Sequence, residues 1–167
     1  NREPMRPLLI HLLSLVLAFV ADSASAKDFE FKIPMILKNS GSYYVAATLE
    51  HDNQVEFLVD TGAGMVILTE STFRSLTAMS EQEPTRRIAV RVADGRTKAV
   101  NVYTLNLLVL GPECNVGPVE VAVIPGAANN ILGLNILKQA APFAIYTSPP
   151  SLALSACSEL ASGLARI

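Results

Sequence analysis

One acidic residue follows an apolar stretch at a position where a carboxylate is energetically costly. Asp60 comes directly after the strand-like run 55–59 and is followed by Thr61 and Gly62. An ionised carboxylate at the end of a buried strand loses hydration, so it needs hydrogen-bond partners or a chemical role. A tight turn would explain the pattern, and so would the general acid or base of a catalytic site.

Two further features follow this residue along the chain. Residues 88–92 alternate between apolar and other side chains, and they lead into Asp94-Gly95, the strongest hairpin-turn signal of the sequence. About seventy residues after Asp60 comes the segment 129–137, NNILGLNIL, in which Ile131-Leu132-Gly133 precedes a helical pattern. Since a three-residue motif alone is weak evidence, the order of these features carries the argument.

The elements around these features are predicted to be strands joined by short turns. Alternation and turn residues predict short helical segments at 70–76 and in the later part of 131–140, a polar loop at 77–87, a turn at 111–117, and strands at 29–37, 43–50, 55–60, 65–69, 88–93, 98–110, 118–124, 143–147 and 151–156. Half of the residues are hydrophobic and no long linker interrupts them. The sequence therefore predicts one all-β domain.

The Asp-Thr-Gly-Ala motif, the hairpin and the downstream Ile-Leu-Gly, in this order, resemble the retropepsin-like aspartic proteases. The resemblance extends over residues 29 to 155. It implies a closed all-β barrel with a flap hairpin and one or two short helices, in a domain that spans residues 27–157. It also implies an aspartic endopeptidase that hydrolyses peptide bonds with no cofactor and no metal.

The resemblance gives a role to each residue of the first motif. Asp60 would be the catalytic carboxylate, and Thr61 would lock two active-site loops together through its hydroxyl. Gly62 would admit the substrate backbone, and Ala63 would complete the supporting loop.

The resemblance also predicts substrate-binding positions elsewhere. Ile131 would line a subsite, and Leu132 and Gly133 would pack behind the catalytic loop. The flap tip would close over the peptide as a lid, and it would consist of Ala93, Asp94 and Gly95.

This chemistry needs two carboxylates, whereas the chain has one Asp-Thr-Gly. Two carboxyl groups about 3 Å apart share one proton, so that one acts as base and the other as acid. The same setting is absent at the other aspartates, Asp22, Asp28, Asp52 and Asp94. We therefore predict a C2 homodimer with one Asp60 from each copy, acting on a peptide or protein substrate.

Two positions depart from the viral members of the family. Those usually carry an acidic residue after Asp-Thr-Gly-Ala and an Arg after the downstream Gly, and the two pair. Here the positions hold Gly64 and Leu134. Because both partners are absent, no uncompensated charge remains. The departure predicts a weak dimer and the loss of one substrate-backbone contact.

Other classes of function were weighed. One is a catalytically inactive retropepsin-like module for peptide binding or dimerisation, a role that does not require the carboxylate of Asp60. Another is an exported structural or adhesion domain, which would not explain the paired motifs. A net charge of −2 and the absence of a basic patch with interleaved aromatics give no indication of nucleic-acid binding.

The N-terminal segment predicts export. Arg2 and Arg6 precede the apolar run 8–20, and Ala-Ser-Ala at 24–26 ends it, so residues 1–26 have the pattern of a signal peptide. An uncleaved membrane anchor is the alternative, but a span needs roughly 20 apolar residues. We expect a periplasmic or secreted protein that begins near Lys27, with membrane contact only if cleavage fails.

The remaining features concern the end of the chain. Residues 158–167 are predicted to be a C-terminal tail. Cys114 and Cys157 would pair in an exported protein, and two free, buried thiols are the equal alternative.

Overall fold

The computed structural model describes residues 29–50, 53–76, 81–92 and 95–157. The predicted signal peptide, the predicted tail, and Ala93 and Asp94 of the predicted flap tip lie outside the described residues. In the ranges that are described, no helix has the length and apolar character needed to cross a membrane.

Over these ranges the chain forms short strands and two short helices. In chain order the elements are β1 (Phe31–Leu37), β2 (Tyr43–Leu49), β3 (Asn53–Val59), β4 (Val66–Leu68), α1 (Glu70–Ser75), β5 (Arg86–Arg91), β6 (Thr97–Leu105), β7 (Leu108–Leu110), β8 (Cys114–Asn115), β9 (Val119–Val123), β10 (Asn130–Leu132), α2 (Leu134–Gln139), β11 (Phe143–Thr147) and β12 (Pro150–Leu154).

The strands pair in the order β11-β12-β1-β2-β3-β10-β4-β9-β6-β5, and β7 pairs with β2 and with β8. Most pairs are antiparallel, but β10 runs parallel to β3, and β4 runs parallel to β9. The predicted all-β fold with one or two short helices is confirmed. Among the described residues the pairing path stays open at β11 and β5 instead of closing as a hydrogen-bonded ring.

Local sequence explains the first hairpins. In β2, Val45, Ala47 and Leu49 are buried whereas Ala46 is exposed, which is the alternation of a strand with one face on the core. Gly41 turns the chain from β1 into β2 at a φ of +78°, a conformation that residues with a Cβ rarely adopt. The predicted meander β1-β2-β3 is therefore confirmed.

The apolar side chains form two clusters. The larger is the main core of the domain and contains fully buried Phe57, Leu105 and Leu132. The smaller cluster is built around Val100, Ala122 and Ile124 beneath the β5–β6 hairpin. The second cluster leaves part of its apolar surface facing a cleft, which is described below.

The predicted long strand 98–110 is wrong, because the chain changes partner in its middle. The backbone N–H of Asn106 donates to the carboxylate of Glu50 at 2.7 Å, and the N–H of Glu50 donates to the carbonyl of Leu107 at 3.1 Å. These bonds interrupt the ladder, so β6 pairs with β9 while β7 pairs with β2. The polar loop predicted at 77–87 also ends early, since β5 begins at Arg86.

The two cysteines are paired. Cys114 of β8 and Cys157, just after β12, form a disulfide with their Cα atoms 5.0 Å apart. The alternative that the sequence left open is thereby decided in favour of the disulfide, which ties the last strand to the body of the sheet.

Candidate active site

The loop between β3 and β4 carries Asp60 and holds it through three hydrogen bonds. The N–H of Asp60 donates to the carbonyl of Leu132 at 3.2 Å, and its own carbonyl accepts from the N–H of Ala63 at 3.2 Å. Its carboxylate Oδ1 accepts from the N–H of Gly62 at 2.8 Å. The half-buried Asp60 is thus both a turn residue and a carboxylate held in a fixed direction.

The downstream motif holds this loop from behind. Ile131 of β10 lies between Leu58 of β3 and Ile67 of β4, so β10 separates the two strands that flank the loop. The N–H of Leu134 then donates to the carbonyl of Ala63 at 2.8 Å. The two motifs that the sequence singled out are therefore brought together.

Gly133 is buried against the backbone of the same loop. A Cβ at this position would lie 2.3 Å from the carbonyl oxygen of Met65 and 2.9 Å from that of Ala63. Real Cβ atoms do not approach backbone this closely. The glycine therefore permits the close approach between the end of β10 and the loop of Asp60.

Asn135, at the start of α2, is a positioning residue that the sequence analysis missed. Its Oδ1 accepts from the N–H of Val66 at 2.9 Å, and its Nδ2 donates to the carbonyl of Glu120 at 2.9 Å. The amide thus joins β4 to β9 directly beneath the loop. Its only signal in the sequence was a polar residue inside an apolar segment.

Asn130 of β10 was missed in the same way. Its Oδ1 accepts from the N–H of Thr69 at 3.0 Å, and its Nδ2 donates to the carbonyl of Glu56 at 3.3 Å. Thr69 in turn caps α1, because its Oγ1 accepts from the N–H of Thr72 at 3.1 Å. The far end of β4 is therefore fixed by a second side-chain amide.

The other predicted site residues lie at different depths. The side chain of Thr61 is exposed, Ala63 and Ile131 are half-buried, and Leu132 is fully buried in the core. Gly95 of the predicted flap tip is exposed at a φ of +84°, and its N–H donates to the carbonyl of Val92 at 2.8 Å.

A cleft of about 1210 Å³ opens in front of Asp60. The loop of Asp60 and the β5–β6 hairpin both contribute to its lining. The lining is largely apolar, as expected of a site that binds organic ligands, and its apolar members include Met65, Ile67, Val90, Val92, Ile124 and Ile131.

A second carboxylate, that of Glu120, lines the cleft, but it is paired with the guanidinium of Arg86. Nε and Nη2 of Arg86 donate to the two carboxylate oxygens of Glu120 at 2.8 and 2.7 Å. These hydrogen bonds hold the pKa of Glu120 below its usual value and raise that of Arg86. Within the described ranges, no three His, Cys, Asp or Glu side chains are grouped so that they could hold a metal ion.

The site has the arrangement of a retropepsin-like domain. Its aspartate lies on a loop that is hydrogen-bonded to a strand distant in sequence, and it lines a cleft to which a β-hairpin also contributes. The chain belongs to the family described as "gag-polyprotein putative aspartyl protease", whose family model matches residues 45–139. The resemblance inferred from the sequence is therefore confirmed.

A solved structure supports the fold. The crystal structure of a retropepsin-like aspartic protease from Rickettsia conorii matches with a TM-score of 0.59 and 23% sequence identity, covering 76% of this chain and 92% of that chain. At this identity the likeness establishes the fold alone. A search of curated proteins found no match.

Proposed function

We propose that the protein is an aspartic endopeptidase whose active form is a homodimer with one Asp60 from each subunit. The observation that carries the proposal is the position of Asp60, which is half-buried, directed by the N–H of Gly62 and part of the lining of a cleft of about 1210 Å³. The other acid that lines the cleft, Glu120, is held by Arg86 and is poorly suited to share a proton. The second carboxylate is therefore proposed to come from a second chain.

The chemistry follows from two carboxylates that share one proton. The ionised Asp60 removes a proton from a water molecule, whose oxygen attacks the peptide carbonyl carbon. The protonated Asp60 of the other subunit donates to the carbonyl oxygen, giving a neutral tetrahedral diol. Collapse of the diol breaks the C–N bond as the nitrogen takes up a proton, so one water is consumed and a carboxyl group and an amine are formed.

The dimer proposal has support in the site itself. The side chain of Thr61 is exposed beside Asp60, where it is available to a second copy of the loop. Gly64 and Leu134 stand where viral members have an acidic residue and an arginine that pair. Because that ion pair is absent, the loop has one stabilising interaction fewer, so we expect a dimer that dissociates readily on dilution.

The decisive variant is Asp60→Asn. An asparagine keeps an Oδ1 that can accept from the N–H of Gly62, so the loop should retain its geometry, whereas the base and the shared proton are lost. We expect cleavage of a peptide library to fall by roughly 10²–10⁴-fold, with an unchanged thermal unfolding profile. A variant that keeps most of its activity would contradict the proposal. Wild-type protein that binds peptides and cleaves none would instead indicate the inactive module.

Assembly and pH provide an independent test. Specific activity should rise with protein concentration until the dimer is saturated, in step with sedimentation of the same samples. A singly protonated pair of carboxylates should also give a bell-shaped profile on the acidic side of neutral, at about pH 4 to 6. Full activity in a strictly monomeric sample would show that one chain supplies both acids.

We also propose that the protein is exported. The disulfide between Cys114 and Cys157 supports this, because disulfides persist mainly in oxidising compartments. N-terminal sequencing of the mature protein should give a start at or near Lys27. A chain that retains Met5 and sediments with membranes would indicate an uncleaved anchor.

A further inference from the structure

Positive charge is concentrated on the hairpin that forms one wall of the cleft. The chain as a whole has a net charge of −2, yet five of its 13 Lys and Arg residues lie within residues 86–98. These residues form no basic patch in the sequence, because they are separated along the strands and gather only when β5 pairs with β6. They are Arg86, Arg87, Arg91, Arg96 and Lys98.

Most of these cations line the cleft. Arg86, Arg91, Arg96 and Lys98 border it, whereas Arg87 borders a separate, smaller groove of about 290 Å³. Since Arg86 is neutralised by Glu120, it contributes little net charge. Arg91 and Lys98 lie nearer the flap end of the hairpin.

Lys98 and Arg91 carry the inference. The half-buried Lys98 is oriented by a hydrogen bond from its Nζ to the carbonyl of Pro125 at 3.3 Å, and a carbonyl leaves the ammonium charge uncancelled. Arg91 is exposed and is one of the residues that line the cleft. Neither side chain forms an ion pair with any residue in the part of the chain that the structure describes.

We infer that Arg91 and Lys98 select peptides with an acidic side chain beside the apolar residues at the cleavage site. The inference rests on the proposed protease function. Apolar walls such as Val90 and Ile131 suit apolar side chains, and a cation at the edge of such a cleft concentrates an anionic ligand. Charge complementarity of this kind contributes mainly to specificity. The substrate class is therefore an apolar peptide with flanking Asp or Glu.

The test begins with wild-type protein and a proteome-derived peptide library. We expect Asp and Glu to be enriched on one or both sides of the cleaved bonds. Two peptides that differ only by Glu or Gln at the most enriched position then measure the effect of the negative charge on cleavage. At about pH 6, kcat/KM should favour the Glu peptide by roughly three- to fivefold, the range of a partly exposed ion pair.

Two double variants separate the cleft from the rest of the surface. Arg91→Gln with Lys98→Gln should abolish the preference for Glu over Gln. The control, Arg74→Gln with Arg87→Gln, removes the same charge from the smaller groove and should keep the preference. The wild-type preference should also shrink as pH falls towards about 4.3, where a peptide glutamate becomes protonated, and at high salt.

The outcomes distinguish this inference from the proposed function. Cleavage with equal rates for the Glu and Gln peptides, or equal effects of the two double variants, would overturn the selection of acidic peptides and leave the protease standing. If nothing is cleaved, anisotropy of the labelled peptides with Asp60→Asn decides, because preferential binding of the Glu peptide would support the basic cleft without catalysis. A single-stranded DNA oligonucleotide that displaces the Glu peptide at lower concentration would assign the hairpin to nucleic acid and overturn the inference.

Discussion

Replacement of Gly133 by alanine tests whether the downstream motif fixes the loop of Asp60. Gly133 has a φ of −96° and a ψ of −180°, an extended conformation that any residue can adopt, so backbone strain is not the expected cost. The expected cost is steric. The added methyl carbon would lie 2.3 Å from the carbonyl oxygen of Met65 and 2.5 Å from its carbonyl carbon.

The size of the effect follows from these distances. A carbon and a carbonyl oxygen approach to about 3.3 Å at closest, so the Met65 carbonyl must move by roughly 1 Å. Overpacking of this kind costs about 1–3 kcal/mol, and the clash is with backbone, so we expect about 3 kcal/mol. Since Met65 and Ala63 belong to the loop of Asp60, the same displacement should lower kcat/KM by about 10²-fold.

The assays are urea unfolding and peptide cleavage on the same preparations. Gly64→Ala is the matched stability control, because a Cβ at Gly64 would meet no atom within 4 Å. Its free energy of unfolding should stay within about 0.5 kcal/mol of the wild type. If Gly133→Ala is as stable as this control and retains wild-type activity, the close approach does not hold the loop and the reasoning is refuted.

Three further perturbations have defined outcomes. Asn135→Ala leaves the buried N–H of β4 without its acceptor, so urea unfolding should show a loss of about 1–3 kcal/mol; Asn135→Asp, which keeps that acceptor, should lose less, and equal losses would contradict this. Cys114→Ser with Cys157→Ser opens a loop with a sequence separation of 43 and should cost about 2–4 kcal/mol; added reductant should destabilise the wild type but not this variant. Arg86 lowers the pKa of Glu120. Any stability that the ion pair contributes is therefore fully present at pH values above the ordinary pKa of glutamate, and it is lost as the pH falls through the lowered pKa of Glu120. Glu120→Gln should therefore be less stable than the wild type near pH 6, and this difference should shrink as the pH falls below the ordinary glutamate pKa of about 4.3; a difference that stays constant as the pH falls would contradict this assignment.

The sequence predicted the parts of the site that are encoded locally. Asp60 at the end of an apolar run and Gly133 before a helical pattern are signals within a few neighbouring residues, and the structure places them directly after β3 and directly before α2 as expected. The short strand β10 was not predicted. The order of the motifs along the chain was sufficient to predict the family. Their pairing in space needed the resemblance, because no local signal states that β10 lies between β3 and β4.

Features that depend on distant partners were not predictable in this way. The break at Asn106 depends on the carboxylate of Glu50, a residue just after β2 and far away in sequence. The role of Asn135 depends on two backbone groups of different strands, so its amide looked like any polar residue of a short helix. The alternation of apolar and polar residues specifies which face of a strand is buried, but it does not specify which other strand pairs with it.

The insertion of β10 between β3 and β4 has a consequence for biosynthesis. β10 follows these strands by more than sixty residues, so a nascent chain that ends before residue 130 carries Asp60 on a loop with no strand beneath it. Pairing between such distant segments is slow, since a long loop must close first. We therefore expect the loop of Asp60 to become ordered late in folding. Until then the proposed protease would lack an ordered active site, so premature cleavage of the nascent chain would be avoided.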